Sequence, residues 1–82
     1  MSDLSKEEIE RIKETVGVVI GNNIKKAREK AGLTQTELAN KIISDRQYLY
    51  KIETGKVGIS VIKLAVIAKA LNIPLEELVK MG

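Results

Sequence analysis

The stretch "TQTELANKIISDRQYLYKIETGK", Thr34 to Lys56, constrains the fold more than any other part of the chain. It carries two short helical patterns, a four-residue gap between them, and no Gly or Pro before Gly55. Thr34 with Glu37 has capping-box spacing and opens the first pattern, whose inner face is Leu38, Ala39 and Ile42. Asp45 is the expected N-cap of the second, with Leu49 and Ile52 facing inward and Gly55 as its stop. Two helices of about one and a half to two turns each, joined this tightly, have no room to lie antiparallel and must cross at a steep angle. Ala39 is small where the second helix has to come close. The face of that helix opposite Leu49 and Ile52 then shows Arg46, Gln47, Tyr50 and Lys51. Long donors and a ring on one helical face suit the base edges and phosphates of a major groove.

The flanking sequence is helical too. "LSKEEIERIKETVGVVIGNNIKKAREKAG" opens with Ser5 and Glu8, again at capping-box spacing. Apolar residues at 9, 12, 16, 19/20, 24, 27 and 31 follow a period near 3.6. The stripe keeps phase through Gly17 and Gly21, so one long helix with a soft middle and two shorter helices both satisfy it. Each Gly costs about 1 kcal/mol against Ala, and β-branched neighbours add to the weakness, so a kink is expected near 17–21. Gly32 stops the pattern as a residue just past a helix should. Ser60 caps a fourth helix, "VIKLAVIAKALN", whose inward stripe is read as Val61, Leu64, Ile67, Ala68 and Leu71. Pro74 suits the first turn of a short fifth, "PLEELVK". The expected class is all-α: a compact five-helix domain over 20–82 with a helical extension at 1–19.

Composition removes several chemistries. With 82 residues the chain is one small domain with a thin core. Tyr48 and Tyr50 are the only aromatic residues, so the core must be aliphatic. Having neither Cys nor His, the chain lacks disulfides, thiolate and imidazole metal ligands, Cys nucleophiles and the commonest general base. No metal, no cofactor and no enzymatic activity are expected. "ETGKV" lacks the spacing of a phosphate-cradling loop, and Glu76 and Glu77 are neighbours on a helix that point apart. No apolar run reaches the 18 residues of a membrane-spanning helix. The acidic, polar start and the absence of Cys fit a cytoplasmic protein.

Charge is unevenly spread. Residues 1–16 hold five acids and three bases, a net of −2, while residues 17–56 hold eight bases and four acids, a net of +4. The basic excess surrounds the two close helices. It suits a polyanion, although a solvated surface also accounts for it. The acidic face of 5–16 reads either as solvated or as a partner surface.

From about Ile20 to Val79 the chain resembles the phage-repressor (Cro-like, Xre-type) helix-turn-helix family of DNA-binding regulators. The residues that carry the likeness are Arg28, Gly32-Leu33-Thr34-Gln35, Leu38-Ala39, Ile52-Glu53 and Gly55-Lys56. The resemblance implies sequence-specific binding of double-stranded DNA as a homodimer. It implies that Gln35 approaches a phosphate and that Arg46, Gln47 and Lys51 read bases. Tyr48 and Tyr50 would meet sugar-phosphate or a thymine methyl, and Lys56 the DNA backbone. The caps Thr34 and Asp45 complete the DNA-facing set. The family also pairs the positions of Arg28 and Glu53, each on the inward side of its helix, which implies a buried ion pair. "DRQYLYKIETGK" followed by "GIS" is similar to the controller branch that regulates restriction–modification genes. Tyr48 packs equally well on the first helix, and that alternative stands.

The sequence departs from the family pattern at three positions. Ile43 stands where Gly is usual in the turn, where φ is often positive and a β-branched residue costs about 1–2 kcal/mol. Ser44 stands where an apolar residue is usual, so a reshaped turn that buries Ile43 and exposes Ser44 is expected. Ile59 stands where Pro often precedes the fourth helix. A protein-interaction module on the same fold is the rival function; basic and amide side chains on the third helix speak against it.

The fourth helix carries more apolar residues than one inward stripe needs. Ile59, Ile62, Val66 and Ile73 form a second stripe, expected to be a homodimer interface. The alternative is that segment 1–16 folds back over it with Ile9, Ile12 and Val16.

Overall fold

The computed structural model describes residues 3–82, so the first two residues of the 1–19 extension lie outside the described residues. Four α-helices and one 3-10 helix make up the described chain: α1 (Lys6–Lys30), α2 (Gln35–Lys41), α3 (Arg46–Glu53), α4 (Val61–Leu71) and the 3-10 helix Leu75–Leu78. The expected fifth α-helix is therefore a single tight turn. Pro74 caps it at φ −69° and ψ 148°, outside the helix rather than in its first turn. The class is all-α, as the patterns implied.

Each α-helix begins on a side chain that takes up free backbone donors. Ser5 Oγ accepts from the Glu8 N–H at 3.1 Å and Glu8 Oε1 accepts from the Ser5 N–H at 2.8 Å. Thr34 and Glu37 repeat this arrangement at α2. Asp45 Oδ1 accepts from Tyr48 N–H at 2.8 Å, and Ser60 Oγ from Lys63 N–H at 3.0 Å. Each helix also ends on the same closure, in which two successive N–H groups reach back to carbonyls of the last turn. Gly32 and Leu33, Ile43 and Ser44, Gly55 and Lys56, and Asn72 and Ile73 supply those pairs. The first member of each pair has positive φ: 75° at Gly32, 54° at Ile43, 73° at Gly55 and 56° at Asn72.

Ile43 is the misfit in that series. The expected burial of Ile43 does not occur: its side chain is 95% exposed, and Ser44 is half-buried. The turn keeps its left-handed residue because Ser44 N–H must reach Ala39 O at 2.8 Å and Ile43 N–H must reach Asn40 O at 3.2 Å. Closing the helix outweighs the local cost, about 1–2 kcal/mol, of a β-branched residue in that conformation.

α1 runs unbroken for 25 residues, so the expected kink at 17–21 is absent. Gly21 serves packing instead. A Cβ on Gly21 would fall on the carbonyl oxygen of Ile52 and lie 2.7 Å from that of Glu53. Only a residue without a side chain lets α1 cross the end of α3 this closely. Gly17 meets Gly55 O at 3.5 Å, ordinary contact distance.

The core is aliphatic throughout, with Ile20 and Ile24 of α1, Leu38, Ala39 and Ile42 at α2, Leu49 and Ile52 of α3, Leu64, Ile67, Ala68 and Leu71 of α4, and Leu78. Val61, expected to face inward, is 69% exposed, while Leu64, less than one turn further on, is buried. Asn23 Nδ2 donates to Leu78 O at 3.1 Å and Lys80 O at 2.9 Å, fastening the C-terminal residues to α1. Residues 6–16 do not fold back over α4. They continue α1 beyond the core with Ile9, Ile12 and Val16 exposed, and the molecule measures 46 × 24 × 19 Å.

Candidate nucleic-acid interface

α3 is anchored by one face. Leu49 and Ile52 are buried in the core, and Glu53 is buried beside them. Roughly half a turn around the helix from that face, Arg46, Gln47, Tyr50 and Lys51 are exposed. The helix spans eight residues, about 12 Å, so all four side chains fall within a patch of major-groove dimensions.

The buried end of α3 is tied down by charge. Arg28 Nε donates to Glu53 Oε2 at 2.7 Å and Nη2 to Oε1 at 3.1 Å, a two-pronged pair. Arg28 Nη1 donates to Leu33 O at 2.8 Å, and Gln35 Nε2 donates to Glu53 Oε1 at 3.0 Å. The Glu53 carboxylate thus joins α1, the first turn of α2 and α3, and Arg28 ties in the Leu33 carbonyl of the loop before α2. Hydrogen bonding to Glu53 raises the Arg28 pKa above its ordinary value, more than burial lowers it, so the guanidinium stays charged. No buried side-chain polar atom is left without a partner among the described residues.

The remaining sequence-assigned residues separate into groups. Thr34 and Asp45 are exposed caps at the starts of α2 and α3. Gln35, assigned to a phosphate by resemblance, is half-buried with its amide turned toward Glu53. Tyr48 is half-buried against the core, with Lys63 Nζ of α4 5.6 Å from its ring centre. Tyr50 is exposed, and Lys56 Nζ sits 5.5 Å from its ring centre. The Thr54 hydroxyl donates to Tyr50 O at 2.8 Å and helps hold the end of α3 that carries this pair. Of the second apolar stripe, Ile62 and Val66 are exposed, while Ile59 and Ile73 are half-buried against their own core.

Sequence reasoning missed part of this surface. Val18, Asn22 and Lys25 of α1 line a shallow hollow of about 680 Å³ with Gln35, Tyr50 and Thr54. They are spaced at three to four residues along one side of α1, a signal present in the sequence but indistinguishable there from an ordinary solvated face. Lys25 and Lys26 give this hollow a positive rim next to α3.

A helix-turn-helix family profile matches residues 24–78. The chain belongs to the helix-turn-helix family. It is an Xre-like family of DNA-binding regulators, and α2 and α3 are the two closely joined helices within the matched span. Control protein C.MunI of a Mycoplasma species is 41% identical over 64 residues, which span 77% of this chain and 86% of that protein. Among solved structures, the restriction–modification controller protein C.AhdI from Aeromonas hydrophila matches with a TM-score of 0.71 and 33% identity, over 74% of this chain and 92% of its own. The clp gene regulator ClgR from C. glutamicum matches with a TM-score of 0.76 and 25% identity, over 78% of this chain and 82% of its own. A hypothetical transcription factor from Neisseria, NHTF, shares the fold across 98% of this chain and 85% of its own, at a TM-score of 0.77 and 22% identity.

Proposed function

We propose that this protein is a controller-type regulator of restriction–modification genes that binds a near-palindromic operator as a homodimer, with α3 in the major groove. The observation that carries the reading is α3 itself: exposed Arg46, Gln47, Tyr50 and Lys51 on a helix clamped from behind by the Arg28–Glu53 pair. A clamped helix holds its donors in one orientation, which is what discrimination between base edges needs. The relatives C.MunI and C.AhdI, a control protein and a restriction–modification controller, support the regulatory setting.

In this reading Arg46, Gln47 and Lys51 read bases, while Lys56 and the positive rim at Lys25 and Lys26 meet phosphates. Gln35 acts through position: its side chain steadies Glu53, and the first turn of α2 offers its backbone N–H groups to a phosphate. The homodimer forms over the exposed apolar surface of α4, Ile62 and Val66, bordered by Ile59 and Ile73. Two copies of α3 then lie about one helical turn of DNA apart, roughly 34 Å.

A gel-shift titration against duplexes selected from a random pool, and against random duplex, tests the reading. Lys51→Ala is expected to cost about 1–3 kcal/mol on the selected site with little loss on random DNA. Lys56→Ala is expected to weaken both and to flatten the salt dependence by about one charge. Selection that enriches no sequence, or equal losses for both variants on both duplexes, rejects sequence reading by α3.

A further inference from the structure

The α1 overhang and the loop before α4 form a ledge that nothing within the chain fills. Residues 6–16 extend about 16 Å past the core, at 1.5 Å per residue. Their stripe Ile9, Ile12 and Val16 continues the line of Ile20 and Ile24, which are buried, but is itself exposed. Beneath it lies a hollow of about 660 Å³ lined by Ile12, Val16, Ile20, Val57 and Ile59. A short amphipathic helix end draws its stability from packing its apolar face rather than from propensity. An uncovered stripe over an apolar hollow is therefore half of an interface.

We infer that the ledge receives the start of α4 from a second copy of this chain, so that each arm clasps the other's α4. This rests on the homodimer reading and names its main contact. Position on the molecule supports it. The hollow ends at Ile59, and α4 begins two residues later with Val61 and Ile62, which are 69% and 78% exposed. The ledge and the apolar knob thus border each other on one molecule. A two-fold axis running beside Ile59 puts each knob on the other copy's ledge, as an isologous interface requires. A single operation covers both bare patches.

Charge agrees. Residues 1–16 carry a net of −2 and residues 17–82 a net of +5, with two lysines and no carboxylate on α4. An acidic arm is attracted to the basic body of another copy and repelled by its arm. An arm-to-arm pairing would bury the stripe but leave Val61 and Ile62 bare.

Cysteine placement tests the arrangement cleanly, since the native chain has none. Ile12→Cys and Ile62→Cys are made separately in full chains of different tag length, mixed and oxidised. Both positions are exposed in the single chain, so neither change disturbs the core. The expected product is a disulfide between the two different chains, in excess over either homodimer. In parallel, Ile12→Glu should raise the dimer dissociation constant in sedimentation by about tenfold or more, the effect of burying a charge in an apolar contact. If wild type sediments as a dimer but Ile62→Cys cross-links only to itself, or Ile12→Glu leaves the constant unchanged, the clasp is wrong and the homodimer stands. If Ile12→Cys cross-links only to itself, the arms pair with each other and the clasp is again wrong. A wild-type chain that stays monomeric at high micromolar concentration, with and without its selected operator, removes the homodimer and the clasp together.

Discussion

Residues 6–16 and residues 17–30 of α1 continue one apolar stripe on one helix, yet the second segment is built into the core and the first stands clear of it. The two halves have the same period and similar side chains: Ile9, Ile12 and Val16 in the arm, Ile20 and Ile24 in the body. The difference lies in what crosses them. The end of α3 reaches α1 at Gly21, close enough to exclude any side chain there, and the Arg28–Glu53 pair closes the contact one and a half to two turns further on. No described element reaches Ile9 or Ile12 closely enough to bury them. Periodicity in a sequence announces that a face seeks cover; it does not say whether the same chain supplies it.

The contrast is open to direct attack. The largest effect belongs to Arg28→Ala, in the body half. It leaves Glu53 buried with only the Gln35 amide and should cost about 3–5 kcal/mol in urea unfolding. A loss under 1 kcal/mol would mean that the pair is solvated and that α3 is not clamped. Next comes a matched pair of truncations. Ile24→Ala removes a fully buried side chain and should cost about 2–5 kcal/mol, whereas Ile12→Ala, measured at monomeric concentration, should change stability by less than about 0.5 kcal/mol. Similar losses from both would show that the arm is packed after all.

The glycines sharpen the same contrast by sign. Gly21→Ala forces α1 off α3 and should destabilise by about 1–3 kcal/mol. Gly17→Ala meets only an ordinary contact with Gly55 and should gain up to about 1 kcal/mol of helix propensity. Thermal melts of both variants decide it, and a Gly17→Ala loss as large as that of Gly21→Ala would contradict the packing described.

The smallest effect compares the two capping boxes in acid. Glu8 and Glu37 are held below their ordinary pKa, first by the backbone N–H of Ser5 and of Thr34, then by the hydroxyls of the same residues. A depressed folded pKa means stability that is complete above the ordinary value of 4.5 and is lost as pH falls through the lower folded value. Losing the Glu37 box should lower global stability, because α2 is built into the core. Losing the Glu8 box should only fray the arm, seen as faster amide exchange near Ser5–Ile9 with no change in the melting midpoint. A Glu8→Ala chain that melts earlier than wild type in dilute solution would overturn that assignment.

Much of this molecule was legible without coordinates because its helix ends are local events. A cap is decided within about four residues, so Ser5, Thr34, Asp45 and Ser60 could be read directly, as could the stops at Gly32 and Gly55. The all-α class and the exposed face of α3 followed from period alone. Other features depend on what lies across from a residue, and only the tertiary structure decided them. Gly21 looked like a weak point until the end of α3 was set against it. Val61 looked inward by period, yet no part of the described chain buries it. Ile43 looked buried until the closure of α2 imposed positive φ and turned the side chain to solvent. Gln35 looked free to face DNA until Glu53 was found within 3.0 Å of its amide. Local hydrogen bonding is written in neighbouring residues, whereas close approach, burial and side-chain partnership arise between segments that the sequence keeps far apart.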